Sequence, residues 1–201
     1  MSIFKKKIEF SQFIANLISF QLDFIENNFD KMVTLTDEFM ALTESDKKDL
    51  YEKLQTLSIA DILIECHLNL SDKVALQEIN NCIAVMYRRC LVEYKRMQEK
   101  EAIDKAKRVL DLIECMEDAK KNTEQTRERR ASKRGYEMNR INEQDEQKYY
   151  LCSGFSDYYA GKDVKSENWE GKHFAAFKLA KAIVKTDIVK ITLKDFKIIW
   201  E

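Results

Sequence analysis

Cys66 and His67 stand side by side, and Glu170 and His173 lie three apart; these are the places where a chain with only two His pairs residues suited to acid–base, nucleophilic or metal chemistry. A thiol beside an imidazole would suggest a nucleophilic dyad. Neighbours on a helix, however, point about 100° apart, so neither side chain can serve the other without a third group from elsewhere. Cys66 therefore reads as core. Glu170-Gly171-Lys172-His173 has the spacing that sets a carboxylate and an imidazole on one helix face, as in a di-iron bundle. That chemistry needs a second such motif and two further Glu, but Ile64 occupies the position three before His67. The Gly-Lys pairs at 161–162 and 171–172 lack the remaining residues of a phosphate-binding loop. Neither a nucleophile elbow nor a dinucleotide fingerprint is visible. The sequence thus leads us to expect a non-enzymatic protein with no catalytic residue, no metal site and no cofactor.

The remaining chemistry is electrostatic. Residues 126–140, TRERRASKRGYEMNR, hold six basic side chains, Arg127, Arg129, Arg130, Lys133, Arg134 and Arg140, against the two acids Glu128 and Glu137. On a helical wheel with Arg127 at zero, the other five cations fall between about 200° and 340°, while Glu124 and Glu128 fall at about 60° and 100°. Arg129/Lys133 and Arg130/Arg134 are like-charge pairs four residues apart, each disfavouring an isolated helix by about 0.2–0.5 kcal/mol. A helix built for stability alone would alternate its signs, so the segregated face suggests an anionic partner, since guanidinium forks suit carboxylate and phosphate alike. A solvated segment that binds nothing is the leading reading of these charges, with an acidic protein surface and nucleic acid as equal alternatives. Tyr149, Tyr150, Tyr158, Tyr159 and Trp169, interleaved with Lys148, Lys162, Lys165 and Lys172, resemble the stacking platforms and cations that hold single strands. Aromatics at such a density also fill a small core, and no helix-turn-helix, zinc-finger or RNP-type pattern accompanies them.

The average field of the chain does not favour phosphate. Its 34 Lys and Arg balance 35 Asp and Glu, for a net charge of −1, so any electrostatic function has to be local. With 45% hydrophobic and 34% charged residues, the 201-residue chain has enough apolar surface for one sizeable core. Five Cys, an odd number without a CxxC pair, read as reduced, buried thiols of a cytoplasmic protein. The longest uncharged run near the N-terminus, Phe10 to Leu22, is 13 residues, too short to span a bilayer. Glu9, Gln12, Asn16 and Gln21 interrupt any signal-like pattern there.

Elements able to position these residues are almost all helical. The chain has no Pro and four Gly, at 135, 154, 161 and 171, so positions 1–134 contain neither helix breaker. Apolar residues at three- and four-residue spacing predict a helix from about Ile8 to Phe29 and a second over Lys31–Leu42. Thr43-Glu44-Ser45-Asp46 and Ser58-Ile59-Ala60-Asp61 both match a capping box. They predict one helix ending near Thr56 and a short one ending near Asn69, and Ser71 then reads as the next N-cap. Leu76, Ile79, Ile83, Met86, Cys90, Tyr94 and Met97 form a heptad-like seam, for the chain's own N-terminal helix or for a second copy. That helix either reaches about 45 residues or breaks near residue 100 into an antiparallel pair. Residues 120–135 hold a single apolar side chain, Ala131. The stretch from Lys148 reads as a compact aromatic subdomain with a helix at His173–Lys185, and Thr192-Leu193-Lys194-Asp195 reads as a last capping box.

Taken together, the fold class is all-α: a multi-helix bundle with long helices over 1–118, an exposed basic and polar helical extension or linker over 119–147, and an aromatic-rich C-terminal subdomain over 148–201. The expected function is docking on a macromolecule as an adaptor, an inhibitor or a subunit of a larger assembly, with no transmembrane segment.

Overall fold

A computed structural model describes residues 5–134, 142–161, 169–184 and 186–200, without the side chains of 127–134. The described residues form an all-α bundle with one minimal sheet. In chain order the elements are β1 (Lys6–Glu9), α1 (Phe10–Val33), α2 (Asp37–Met40), α3 (Glu44–Leu70), α4 (Leu76–Glu93), α5 (Glu99–Arg134), α6 (Glu143–Ala160), α7 (Trp169–Ile183), α8 (Ile188–Thr192) and β2 (Phe196–Ile199). Among the described residues, no helix is long and apolar enough to cross a membrane.

The 27-residue α3 is the axis of the bundle, and α1, α4, α5, α6, α7 and α8 all pack against it. Every residue from Leu54 to Cys66 is consequently buried, polar ones included. Here the structure corrects the expected break near Thr56. The capping box at Thr43 is real: its hydroxyl accepts from the Asp46 amide at 3.2 Å and donates to the Asp46 carboxylate at 2.7 Å. The identical signature at Ser58 lies mid-helix, because neighbours on every side supply the burial that keeps the backbone helical through it.

Other boundaries shift for equally local reasons. The expected helix over Lys31–Leu42 is instead the end of α1 followed by the single turn α2, capped by Thr36. Ser71 lies just past the end of α3, and α4 begins at Leu76 without a side-chain cap. The seam on α4 is spent inside the chain: Ile79, Ile83 and Cys90 are buried, and α4 packs on α1, α3 and α5. Leu76 and Tyr94 of the seam remain exposed. Between α4 and α5 the helix does break, as one of the two expectations had it. Arg96 adopts φ 55°, the left-handed region, costing about 1–2 kcal/mol for a residue with a Cβ. Met97 donates its amide to Leu91 and closes the end. Across this turn α4 and α5 run antiparallel, and Arg88 meets Glu99 at 3.2 Å.

In the C-terminal third, α6 and α7 pack side by side, and α6 also lies along α5. Buried Tyr150, Leu151, Phe155, Ala175, Leu179 and Val189 belong to the same apolar cluster as Phe13, Ile18 and Leu57. The helix expected around His173 begins earlier, at Trp169. The last expected capping box is a turn, with the Asp195 amide donating to the Thr192 carbonyl at 3.0 Å, and the residues after it form a strand rather than a helix. The reason lies at the other end of the chain. β1 offers unpaired backbone groups, and β2 satisfies them in parallel register, Lys6 opposite Phe196 and Ile8 opposite Ile198. Trp200 then seats on Phe10, ring centroids 5.0 Å apart.

Candidate functional site

The backbone of α5 is helical through Arg134, so Arg127, Arg129, Arg130, Lys133 and Arg134 share one regular helix. Their side chains, and all of Arg140, lie outside the described residues.

Each His is engaged by groups other than its neighbour in the sequence. Cys66 is fully buried, and burial pushes its thiol well above the ordinary range, the opposite of what a nucleophile requires. His67 turns away to Asn80, with Nε2 2.7 Å from the amide oxygen. His173 draws together a serine and a carboxylate, but through one nitrogen. Nε2 is 2.7 Å from Asp157 Oδ1 and 3.0 Å from Ser156 Oγ, while that hydroxyl donates to the Ser153 carbonyl at 2.7 Å. A relay needs the carboxylate and the serine on opposite nitrogens. This cluster is a helix-to-helix clasp between α6 and α7, with Trp169 packed over the imidazole at 4.8 Å. Among the described residues, no group of three or more His, Cys, Asp or Glu is placed to hold a metal ion.

Two further features went unread in the sequence. One is an ionic cluster at the centre of the bundle. Lys148 of α6 donates to Glu65 at 2.9 Å and to the carbonyls of Val184 and Thr186 at 3.0 and 3.3 Å, and pairs with Asp187 at 2.9 Å. The second oxygen of Glu65 accepts from the Val189 amide at 2.7 Å. Burial pulls the Lys148 ammonium down, but Asp61, Glu65 and Asp187 together outweigh it and hold the group above its ordinary value. Asp61 is 1% exposed, and its Oδ1 has no hydrogen-bond partner among the described residues. Burial foremost, with Glu65 and Asp187 adding to it, pushes its carboxyl well above the usual carboxylate range, against Lys148. The same burial pushes the Cys152 thiol up to about 12. A signal for half of this was present: Asp61 and Glu65 lie four apart within the otherwise apolar run LSIADILIEC. Lys148 and Asp187 carried none.

Comparison with known proteins adds no identity: no protein family, no curated protein and no solved structure matches the chain.

The second feature is a groove of about 230 Å³ between the antiparallel α4 and α5. Ile59 and Leu63 of α3 line it at the base of the bundle, and the small side chains of Ala84 on α4 and Ala106 on α5 leave its walls apart. Val85 and Leu110 also line it and are 42% and 57% exposed, so its rim is apolar as well as its floor. The charged side chains in its lining are Arg88 and Lys107, both cations. Its walls are apolar apart from Asn80, Tyr87 with its hydroxyl, Arg88 and Lys107, the mix of apolar surface and a few polar groups that binding clefts carry.

Proposed function

We propose that this chain is a non-enzymatic helical interaction protein, an adaptor, inhibitor or subunit of a larger assembly, that docks on a protein partner. The observation that carries this reading is the open apolar groove between α4 and α5, with Val85 and Leu110 exposed in its lining. Antiparallel helix pairs with an unfilled seam bury apolar anchors of a partner by the same packing that builds bundles. The test is affinity purification with the wild-type chain and with a Val85→Asp/Leu110→Asp variant of unchanged helicity, the recovered proteins being identified by mass spectrometry. The reading predicts a defined protein that the wild type retains and the variant loses. An identical set of recovered proteins, or measurable turnover by the purified chain, contradicts it.

A second reading, nucleic-acid binding through Arg127, Arg129, Arg130, Lys133, Arg134 and Arg140, draws support from the helical backbone of α5 through Arg134. A regular helix makes the wheel's separation of cations from Glu124 and Glu128 a separation of faces. It predicts an affinity that falls steeply with salt, because phosphate contacts release counterions. A gel shift unchanged in Arg130→Glu/Arg134→Glu retires it.

A further inference from the structure

We infer that the occupant of the α4–α5 groove is an amphipathic helix of acidic character, an inference that rests on the docking role proposed above and specifies its partner. Size is the first argument. A dry cavity of about 150 Å³ accommodates benzene, whereas small-molecule clefts run from about 300 to 1,000 Å³ and enclose most of the ligand. At about 230 Å³, the groove is too small to enclose a drug-sized ligand and large enough for one or two aliphatic anchors delivered from outside.

Length is the second argument. The α5 wall runs from Ile103 to Leu110, about 10 Å of helix at 1.5 Å per residue. That is about two turns, the distance over which a docked helix presents apolar residues at i, i+3 or i+4, and i+7.

Charge is the third. Arg88 is already engaged by Glu99, but Lys107 is exposed and has no ion-pair partner among the described residues. Asp104 and Asp111 flank Lys107 along α5 without entering the groove lining. An occupant with a carboxylate beside its apolar stripe therefore meets the unpaired Lys107 at the groove, and one with Lys or Arg there meets like charge. One exposed ion pair contributes about 0–1 kcal/mol, so selection between acidic and basic occupants is expected to stay within about fivefold.

The experiment uses the full chain and two fluorescent helical peptides that share one Leu stripe at i, i+3 and i+7 and carry Glu or Lys on its flanks, compared by anisotropy. The Glu peptide is expected to bind more tightly by up to about fivefold, with the preference shrinking at high salt and inverting in Lys107→Glu. Ala106→Leu fills the groove and is expected to abolish binding while leaving the melting temperature unchanged or raised, which separates blocked docking from lost folding. Equal binding of the two peptides overturns the acidic occupant and leaves the docking role standing. Binding by neither overturns both. A dimer in sedimentation that Leu110→Asp dissociates overturns the inference in favour of a second copy of this chain.

Discussion

Gly154 of α6 rests directly on the backbone of Met116 in α5: a Cβ built at Gly154 would stand 2.5 Å from the Met116 amide nitrogen and 2.6 Å from its Cα. No flexible side chain is there to yield, so the approach of the two helices depends on that missing methyl. Gly171, inside α7, has nothing within 4 Å of the same construction. Both glycines lie inside helices, and their roles are opposite.

Replacing each by Ala should therefore have opposite signs. Ala is favoured over Gly in a helix by about 1 kcal/mol, and Gly171→Ala is expected to realise part of that gain. Gly154→Ala gains the same propensity but forces α6 off α5, an overpacking that costs about 1–3 kcal/mol or more. Urea midpoints should rise for Gly171→Ala and fall for Gly154→Ala. A Gly154→Ala chain as stable as the wild type would contradict the helix contact.

Asp61 leads to a prediction about pH. A carboxyl whose folded-state value is raised binds its proton in the native state after the unfolded state, with a value of about 3.9, has released it, so stability falls as pH rises above that value. Asp61→Asn retains the shape and removes the titration. The variant is expected to be more stable than the wild type at pH 7, with the gap closing as the pH is lowered below about 4. Thermal melts across that range measure it, and a gap independent of pH would show that Asp61 keeps its charge inside the bundle.

The all-α class was legible in the sequence because it follows from local facts: no Pro, four late Gly, and apolar residues at helical spacing. The Thr43 cap was legible for the same reason. The Ser58 signature misled because capping is decided locally only where the chain is free to leave the helix, and Ser58 is fully buried within a helix against which six others pack. Phe196–Ile199 could not be read as a strand, since its pairing partner is Lys6–Glu9, nearly the whole chain away. The basic face was visible in one dimension. The groove was not, because it arises from Ala84 and Ala106, two unremarkable residues that become neighbours only once α4 and α5 turn back on each other.

The ion pairs between α3 and α5 give a pH dependence of the opposite sign to that of Asp61. Glu52 receives Arg108 at 2.8 Å and lies 3.5 Å from Lys105. Partial burial pushes the Glu52 carboxyl up, but the hydrogen bond from Arg108 and the charges of both cations outweigh it, so the net direction is downward. A depressed carboxylate contributes stability above its unfolded value of about 4.3, and that contribution is lost as pH falls through the folded value. Arg108→Gln should be less stable than the wild type at pH 7 and approach it below about pH 4. Denaturant midpoints at the two pH values decide the matter.

The Glu65–Lys148 pair permits a test that separates stability from mere proximity. Glu65 is fully buried, and the Lys148 side chain is only 11% exposed, so each charge depends on the other once water is excluded. Removing one partner of a buried pair costs about 3–5 kcal/mol, because the survivor is left charged without compensation. Lys148→Met should thus be severely destabilised. Adding Glu65→Gln neutralises the survivor while keeping an oxygen for the Val189 amide, so the double variant should recover much of the loss despite carrying one more substitution. Recovery requires that the penalty come from an orphaned charge. If the two losses simply add, the pair is instead held by packing, and α8 is pinned to α3 by the Val189 amide on Glu65.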